Sequence, residues 1–283
     1  MIDRLNFYDL YGYLIPGLTL LGFLWLPFHL GTTVRLPSEW ASAFAAAVLG
    51  YVAGHLLQML GDAAFPHERK SDGARRRFSS LILDDTRPAA LDPEFALSDP
   101  VRTQLKARIR KDFGLDVERT ASEADTAPME RRRNDAFMLC RAALVQKGAA
   151  AYAQQFQGMY ALMQGVTAAA TIAVFYFAGW VASGWLGPAA KGVGIGLVVA
   201  VTILVIAAAC PRKVGGWVFW LMAIAGGVAG LLFGTAWPVG GRTSYLLLGA
   251  GAAAFFIARR CYAAFLRFAQ YFASTVYRDF VRL

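Results

Sequence analysis

"NFYDLYGYLIPGLTLLGFLW", residues 6 to 25, decides the class of this chain. Such a stretch is a leader peptide, a buried helix of a soluble core, or a first membrane span. A leader has a basic start and a small-x-small cleavage site. Here Asp3 and Asp9 flank Arg4, and no convincing cleavage site follows. The apolar run from Leu10 to Leu30 is instead long enough to cross a hydrocarbon layer of ~30 Å at ~1.5 Å per residue. Pro16 and Pro27 would break a soluble helix, whereas membrane helices tolerate proline when neighbours satisfy the freed carbonyls. These features make it a first span.

Composition agrees. The chain of 283 residues is 57% hydrophobic and 17% charged, with a mean hydropathy of +0.44; soluble domains carry roughly 25% charge. The deficit is uneven, because no Asp or Glu lies between Ala136 and Arg278. A globular surface is hard to keep soluble that way, but a lipid-embedded one is not. Cys140, Cys210 and Cys261 are widely spaced, with no CxxC pair. They read as small apolar fillers rather than a disulfide or zinc framework.

A second apolar segment runs from Trp40 to Gly61, and four more follow at Tyr160–Leu186, Gly192–Cys210, Trp217–Trp237 and Ser244–Ala258. Between Asp62 and Gln155 the composition changes to 17 Lys or Arg and 15 Asp or Glu. The expected fold is therefore all-α, a polytopic transmembrane helical bundle of about six spans with a small helical cytoplasmic insert. Its expected parts are a transmembrane hairpin at 1–62, a charged insert and stalk at 63–155, a transmembrane bundle at 156–260 and a basic amphipathic helix at 261–283.

Orientation follows from the loops. With the insert set aside, eight Lys or Arg fall on the side of both termini, against Arg35, Lys191 and Arg242 on the other. Positive residues stay inside. Both termini are thus expected in the cytoplasm of a bacterial inner membrane. The net charge of +9 marks topology rather than nucleic-acid binding.

Within the insert, Ser98-Asp99-Pro100 forms a helix start, Val101, Leu105, Ile109 and Phe113 recur at about four residues, and Gly114 fits the stop. Residues from Arg119 to Arg133 read as a flexible loop. From Pro128 a helix is expected to run unbroken through Phe137, Leu144 and Phe156 into the third span, as a stalk. Gly148 and Gly158 are its weak points, serving as joints or permitting close packing. The insert is expected to pack on the stalk, on the C-terminal tail or on another copy. The tail either lies on anionic headgroups or continues the last span.

Phosphate-binding glycine loops, HExxH and GxSxG are absent from the sequence, and no cofactor or metal is expected. Polar residues within membranes are costly and therefore informative. His55, Gln58 and Asp62, with Tyr51, share one face of the second span. Gln157 and Gln164, with Gln154, Thr167 and Thr171, make a stripe at the third. The two stripes hydrogen-bond to each other, line a wet path, or carry chemistry. Gly192 and Gly196 with Ala200, and Gly226, Gly230 and Gly234, form small-residue ridges for packing within one subunit or for self-association. Arg131, Arg132 and Arg133 form a basic cluster, either plainly solvated or suited to an acidic partner or phosphate.

"YDLYGYLIPGLTLL" (Tyr8 to Leu21) and "GYVAGHLLQ" (Gly50 to Gln58) resemble small bacterial multi-span inner-membrane proteins with a Tyr-Asp start, a Gly-Tyr-Leu-x-Pro-Gly first span and a Gly-His-x-x-Gln second span. "FMLCRAAL" and "FQGMYALMQG" resemble the stalk of that group, with Gln164 standing where an arginine would be expected. The resemblance implies a setting beside phage-defence genes. Three functions from different classes then stand open. The first is a non-enzymatic defence effector that assembles or opens to impair the membrane barrier when cued through its insert. The second is a channel or transporter subunit, and the third an anchor or scaffold for a cytoplasmic partner. Expected partners are the lipid bilayer, other copies of the chain and a cytoplasmic protein at the insert, rather than nucleic acid.

Overall fold

The computed structural model describes residues 7–31, 40–65, 68–71, 74–84, 93–118, 127–186, 215–237 and 241–283. The first helix, α1 (Phe7–Asp9), passes through a π-helical turn (Leu10–Leu14) into α2 (Ile15–Gly31), and α3 (Trp40–Ala64) follows. A two-stranded antiparallel ribbon, β1 (Glu68–Ser71) and β2 (Ala74–Arg77), sets Glu68 opposite Arg77. Then come α4 (Phe78–Ile82), α5 (Asp99–Phe113), α6 (Ala127–Gln146), α7 (Ala151–Leu186), α8 (Gly215–Ala236) and α9 (Gly241–Arg282). Apart from the ribbon, the elements are helical.

Among the described residues, five helices are long and apolar enough to cross a membrane: Leu10–Gly31, Ala43–Ala64, Ala151–Trp185, Val218–Ala236 and Gly241–Arg282. The chain is an all-α membrane protein. The sixth expected span, 192–210, lies outside the described residues, and with it the ridge at Gly192 and Gly196 and the thiol of Cys210.

The chain divides into two compact units. An apolar unit comprises Met1–Pro66 and Ala161–Phe265; a charged unit comprises His67–Tyr160 and Leu266–Leu283. Helices α7 and α9 supply residues to both. At 36 and 42 residues, they are about 54 and 63 Å long at ~1.5 Å per residue. Both exceed the ~30 Å that a hydrocarbon layer requires.

In the apolar unit, glycine sets the interhelical distance. A Cβ on Gly54 of α3 would run into the Tyr13 carbonyl, and one on Gly17 into the Gly50 carbonyl, so α2 and α3 meet backbone to backbone. Aromatic rings close the opposite end of α2, where Phe28 meets Trp180, Phe233 and Trp237 edge to face at 5.4–5.7 Å. The Tyr176 hydroxyl donates to the Leu24 carbonyl at 3.1 Å.

The charged unit has a core of its own. Leu81, Ile82, Leu105, Ile109, Cys140 and Leu144 are buried with Phe272, Val276, Tyr277 and Phe280 from the end of α9. The tail therefore continues the last helix and fills this core. The alternative, a helix lying flat on headgroups, does not describe it. Helix α5 starts after Ser98 with proline in its first turn and ends on Gly114 in the left-handed region at φ 66°, as its spacing predicts.

The unbroken stalk is not found. Helix α6 stops at Gln146 and α7 starts afresh at Ala151. Gly148 takes φ 66°, its N–H donates to the Val145 carbonyl at 3.1 Å, and the Ala149 N–H donates to the Leu144 carbonyl at 2.9 Å. This paired pattern is a glycine-dependent helix stop. Gly148 is thus neither a joint nor a packing residue of one long helix. The Arg141 guanidinium donates to Gln157 Oε1 at 2.8 Å across the break, which pairs the end of α6 with the start of α7. The helix expected from Pro128 begins at Ala127, so the expected loop ends before that residue rather than at Arg133.

Candidate functional site

Gln58 of α3 links the first three spans. Pro16 has no N–H, so the carbonyl four residues earlier, at Gly12, lacks its helical donor. The chain widens there into the π turn, where the Ile15 N–H reaches back to the Leu10 carbonyl. Gln58 Nε2 donates to the Gly12 carbonyl at 2.7 Å and also to the Ala161 carbonyl at 2.6 Å. One buried amide thereby ties α3 to the first span and to α7. Gly165 leaves room for this, because a Cβ there would meet Pro16 and Gln58 Nε2.

One turn further along α3, Gln164 Nε2 donates to Asp62 Oδ1 at 3.0 Å and to the Phe65 carbonyl at 3.4 Å. Of the three arrangements open to the two stripes, mutual hydrogen bonding is observed between Asp62 and Gln164, whereas Gln58 gives its hydrogens to backbone carbonyls. Gln157 is not part of it, because its oxygen accepts from Arg141 in the charged unit. His55 turns outward and stacks on Tyr13 at 3.7 Å between ring centroids, with Tyr51 edge-on at 4.7 Å.

The hydroxyls of Thr167 and Thr171 donate to carbonyls four residues earlier on their own helix, at 2.7 and 2.8 Å. Beside them lies a cavity of about 260 Å³, walled by Phe65, Phe175, Phe219, Phe255 and Tyr262 together with Arg259. The two hydroxyls give their hydrogens to their own helix, and Arg259 is the charged residue among the described lining.

The ridge of Gly226, Gly230 and Gly234 packs within the chain. A Cβ at these positions would meet the Ile172 carbonyl, the Tyr176 carbonyl and Ser183 Oγ of α7 in turn. Of the two roles open to it, this face serves internal packing.

The three consecutive arginines do not form one surface. Successive helical residues are turned about 100° from each other. Arg131 is exposed. Arg132 is half-buried, and its charge is felt at Asp116, whose carboxyl is held below the usual range chiefly by the Glu118 N–H and by Arg110. Arg133 is 1% exposed and faces Asp84 at 3.2 Å. A contact with an outside partner is therefore open to Arg131, while Arg133 is a core residue.

Sequence reasoning passed over Asp84, and gave Arg141 and Tyr277 no bonding role. The Tyr277 hydroxyl donates to the Ser79 carbonyl at 3.1 Å, joining α9 to α4 across 198 residues. No local pattern signals such a pair. Burial, seconded by the charge of Asp112, pushes the Cys140 thiol up to about 12, which leaves it an inert filler. Among the described residues, no group of His, Cys, Asp and Glu is arranged to hold a metal ion. No family model matches the sequence, and neither a curated protein nor a solved structure is similar to it.

Proposed function

We propose that this chain is a non-enzymatic effector of the bacterial inner membrane, with both termini in the cytoplasm. Its charged unit receives a cytoplasmic cue, and its apolar unit answers by impairing the membrane barrier, as in abortive defence against phage. The observation that carries this reading is the sharing of α7 and α9. Each helix is continuous from the core of one unit into the other. A change in the packing around Phe272, Val276 and Tyr277 therefore strains a helix that also belongs to the membrane bundle. Cores are bistable rather than freely deformable, so such a change can be passed on.

The internal use of the Gly226–Gly230–Gly234 ridge supports a response by rearrangement within a chain over assembly through that face. The hydrogen bonds that Gln58, Asp62 and Gln164 already make weigh against a standing transport path along them. A scaffold would need no helix common to both units.

The test is cellular. Cells carrying the chain are challenged with a phage panel and followed with a potential-sensitive dye. The expected result is depolarisation on challenge. A variant lacking residues 63–127 inserts but does not respond, because it loses the packing partners of Phe272 and Tyr277. Equal depolarisation by the shortened chain, or none by the full chain under any challenge, refutes the reading. A reporter fused after Leu283 must remain in the cytoplasm.

A further inference from the structure

The charged unit contains a cavity of about 160 Å³ at the meeting point of β2, α4, α6, α7 and α9. Its polar lining includes Arg77, Ser79, Asn134 and Arg141, with no Asp or Glu among the described lining residues. Among the described residues, the partners of both guanidiniums are neutral amides. Arg77 donates to Asn134 Oδ1 at 2.7 Å, and Arg141 donates to Gln157 Oε1 at 2.8 Å. A guanidinium has five N–H donors, so each retains several for an incoming anion. Amides orient the charge without cancelling it, which is how an anion site is prepared.

The apolar lining is aromatic. The Phe137 and Phe272 rings meet edge to face at 5.6 Å, and Tyr160 lies 5.7 Å from Phe272. The Arg141 guanidinium sits 5.7 Å over the Phe272 ring, so charge and ring surface are adjacent. Rings of this kind take a flat apolar body, and arginines take a phosphate or carboxylate. The volume is below the ~300–1,000 Å³ of sites for drug-sized ligands, which limits the occupant to about one ring.

We propose that this cavity binds a small planar organic anion, a single ring bearing phosphate or carboxylate, as the cue of the charged unit. The role as cue rests on the effector reading above; the binding itself stands on the cavity. An occupant would touch Phe137 of α6, Tyr160 of α7 and Phe272 of α9 together, and the last two helices are those that continue into the apolar unit. Ligand occupancy thus acts on the elements that carry the response.

Full-length protein in phosphatidylcholine nanodiscs, titrated calorimetrically with phenyl phosphate and with benzoate, tests the site. Saturable binding of one or both is expected. Inorganic phosphate and benzyl alcohol, each offering half of the chemistry, should bind about tenfold more weakly. Arg77→Gln and Arg141→Gln should each weaken binding by about tenfold. Arg77 is exposed, so its variant should keep the wild-type melting temperature and decides the matter even if Arg141→Gln unfolds. Three results overturn the site: no saturable binding of either probe, binding unchanged by Arg77→Gln in folded protein, or inorganic phosphate binding as tightly as the ring compounds. Because binding is read on purified protein, its failure leaves the depolarisation test standing, and the converse also holds.

Discussion

The apolar and charged units solve the same problem, holding buried polar atoms, by opposite means. In the apolar unit the buried donors are neutral: Gln58 and Tyr176 give their hydrogens to carbonyls of neighbouring helices, and Thr171 to one of its own. Backbones touch at Gly17, Gly54 and Gly230. In the charged unit a full ion pair, Arg133 with Asp84, is buried with both side chains at most 2% exposed. Around it stand interlocked rings rather than glycines, with Phe137 edge-on to both Phe272 and Tyr277. Lipid supplies no hydrophobic force between helices, so close contact and neutral hydrogen bonds must bind them. Water supplies that force, and a core so driven can carry one costly pair if both partners remain.

The comparison predicts its largest effect at the ion pair. Arg133→Met should destabilise the charged unit by about 3–5 kcal/mol, because it takes the guanidinium away from a buried carboxylate. Replacing both partners by Met and Leu should restore most of the loss. Urea unfolding, followed by proteolysis at sites in the charged unit, reads both. A double variant as weak as the single one would mean that the pair itself holds the unit together.

Gly230→Leu comes next. Overpacking a tight contact costs about 1–3 kcal/mol, and here the Tyr176 carbonyl is the obstacle. The loss should show as a lower melting temperature in detergent, with the proteolysis pattern of the charged unit unchanged. Gln58→Leu should cost less, about 0.6–1.7 kcal/mol, the range for side-chain hydrogen bonds between membrane helices. If it costs several times that, the freed Gly12 carbonyl governs the bundle more than glycine contact does.

The smallest effect concerns Cys140. Its thiol is raised from 9.0 to about 12 in the folded chain. Above pH 9.0 the unfolded chain releases a proton that the folded chain keeps, so this group lowers stability as pH rises from 9.0 towards about 12. Below that window it has no pH-dependent effect. Maleimide at neutral pH should therefore label Cys140 only after urea unfolds the unit. Labelling of native protein would show an open core.

How much of this was legible in the sequence depended on the range of each interaction. The first span, the charged insert and the limits of α5 rest on local runs and caps, and they could be read directly. Gly148 could not be placed, because a glycine in an apolar period fits a helix interior and a helix stop equally well. Its two capping hydrogen bonds decide. The inward turn of Arg133 needed the helical phase of α6 against a partner 49 positions earlier. The Gln58–Gly12 bond had a visible signal in Pro16, whose missing N–H always frees a carbonyl four residues back. Which side chain would answer it was not visible. The cavity beside Arg77 and Arg141 joins residues from five separate elements, and no spacing rule links them.

The central claim is that the two units act on each other through α7 and α9. The most direct measurement places a Gly-Gly-Ser-Gly insertion after Tyr160, and separately after Phe265, where these helices pass from one unit to the other. Phage-challenged cells are then followed with a potential-sensitive dye. Both variants should insert, keep the wild-type proteolysis pattern of the charged unit, and lose the depolarisation that the unmodified chain gives. Depolarisation of wild-type size from both insertion variants would contradict the account.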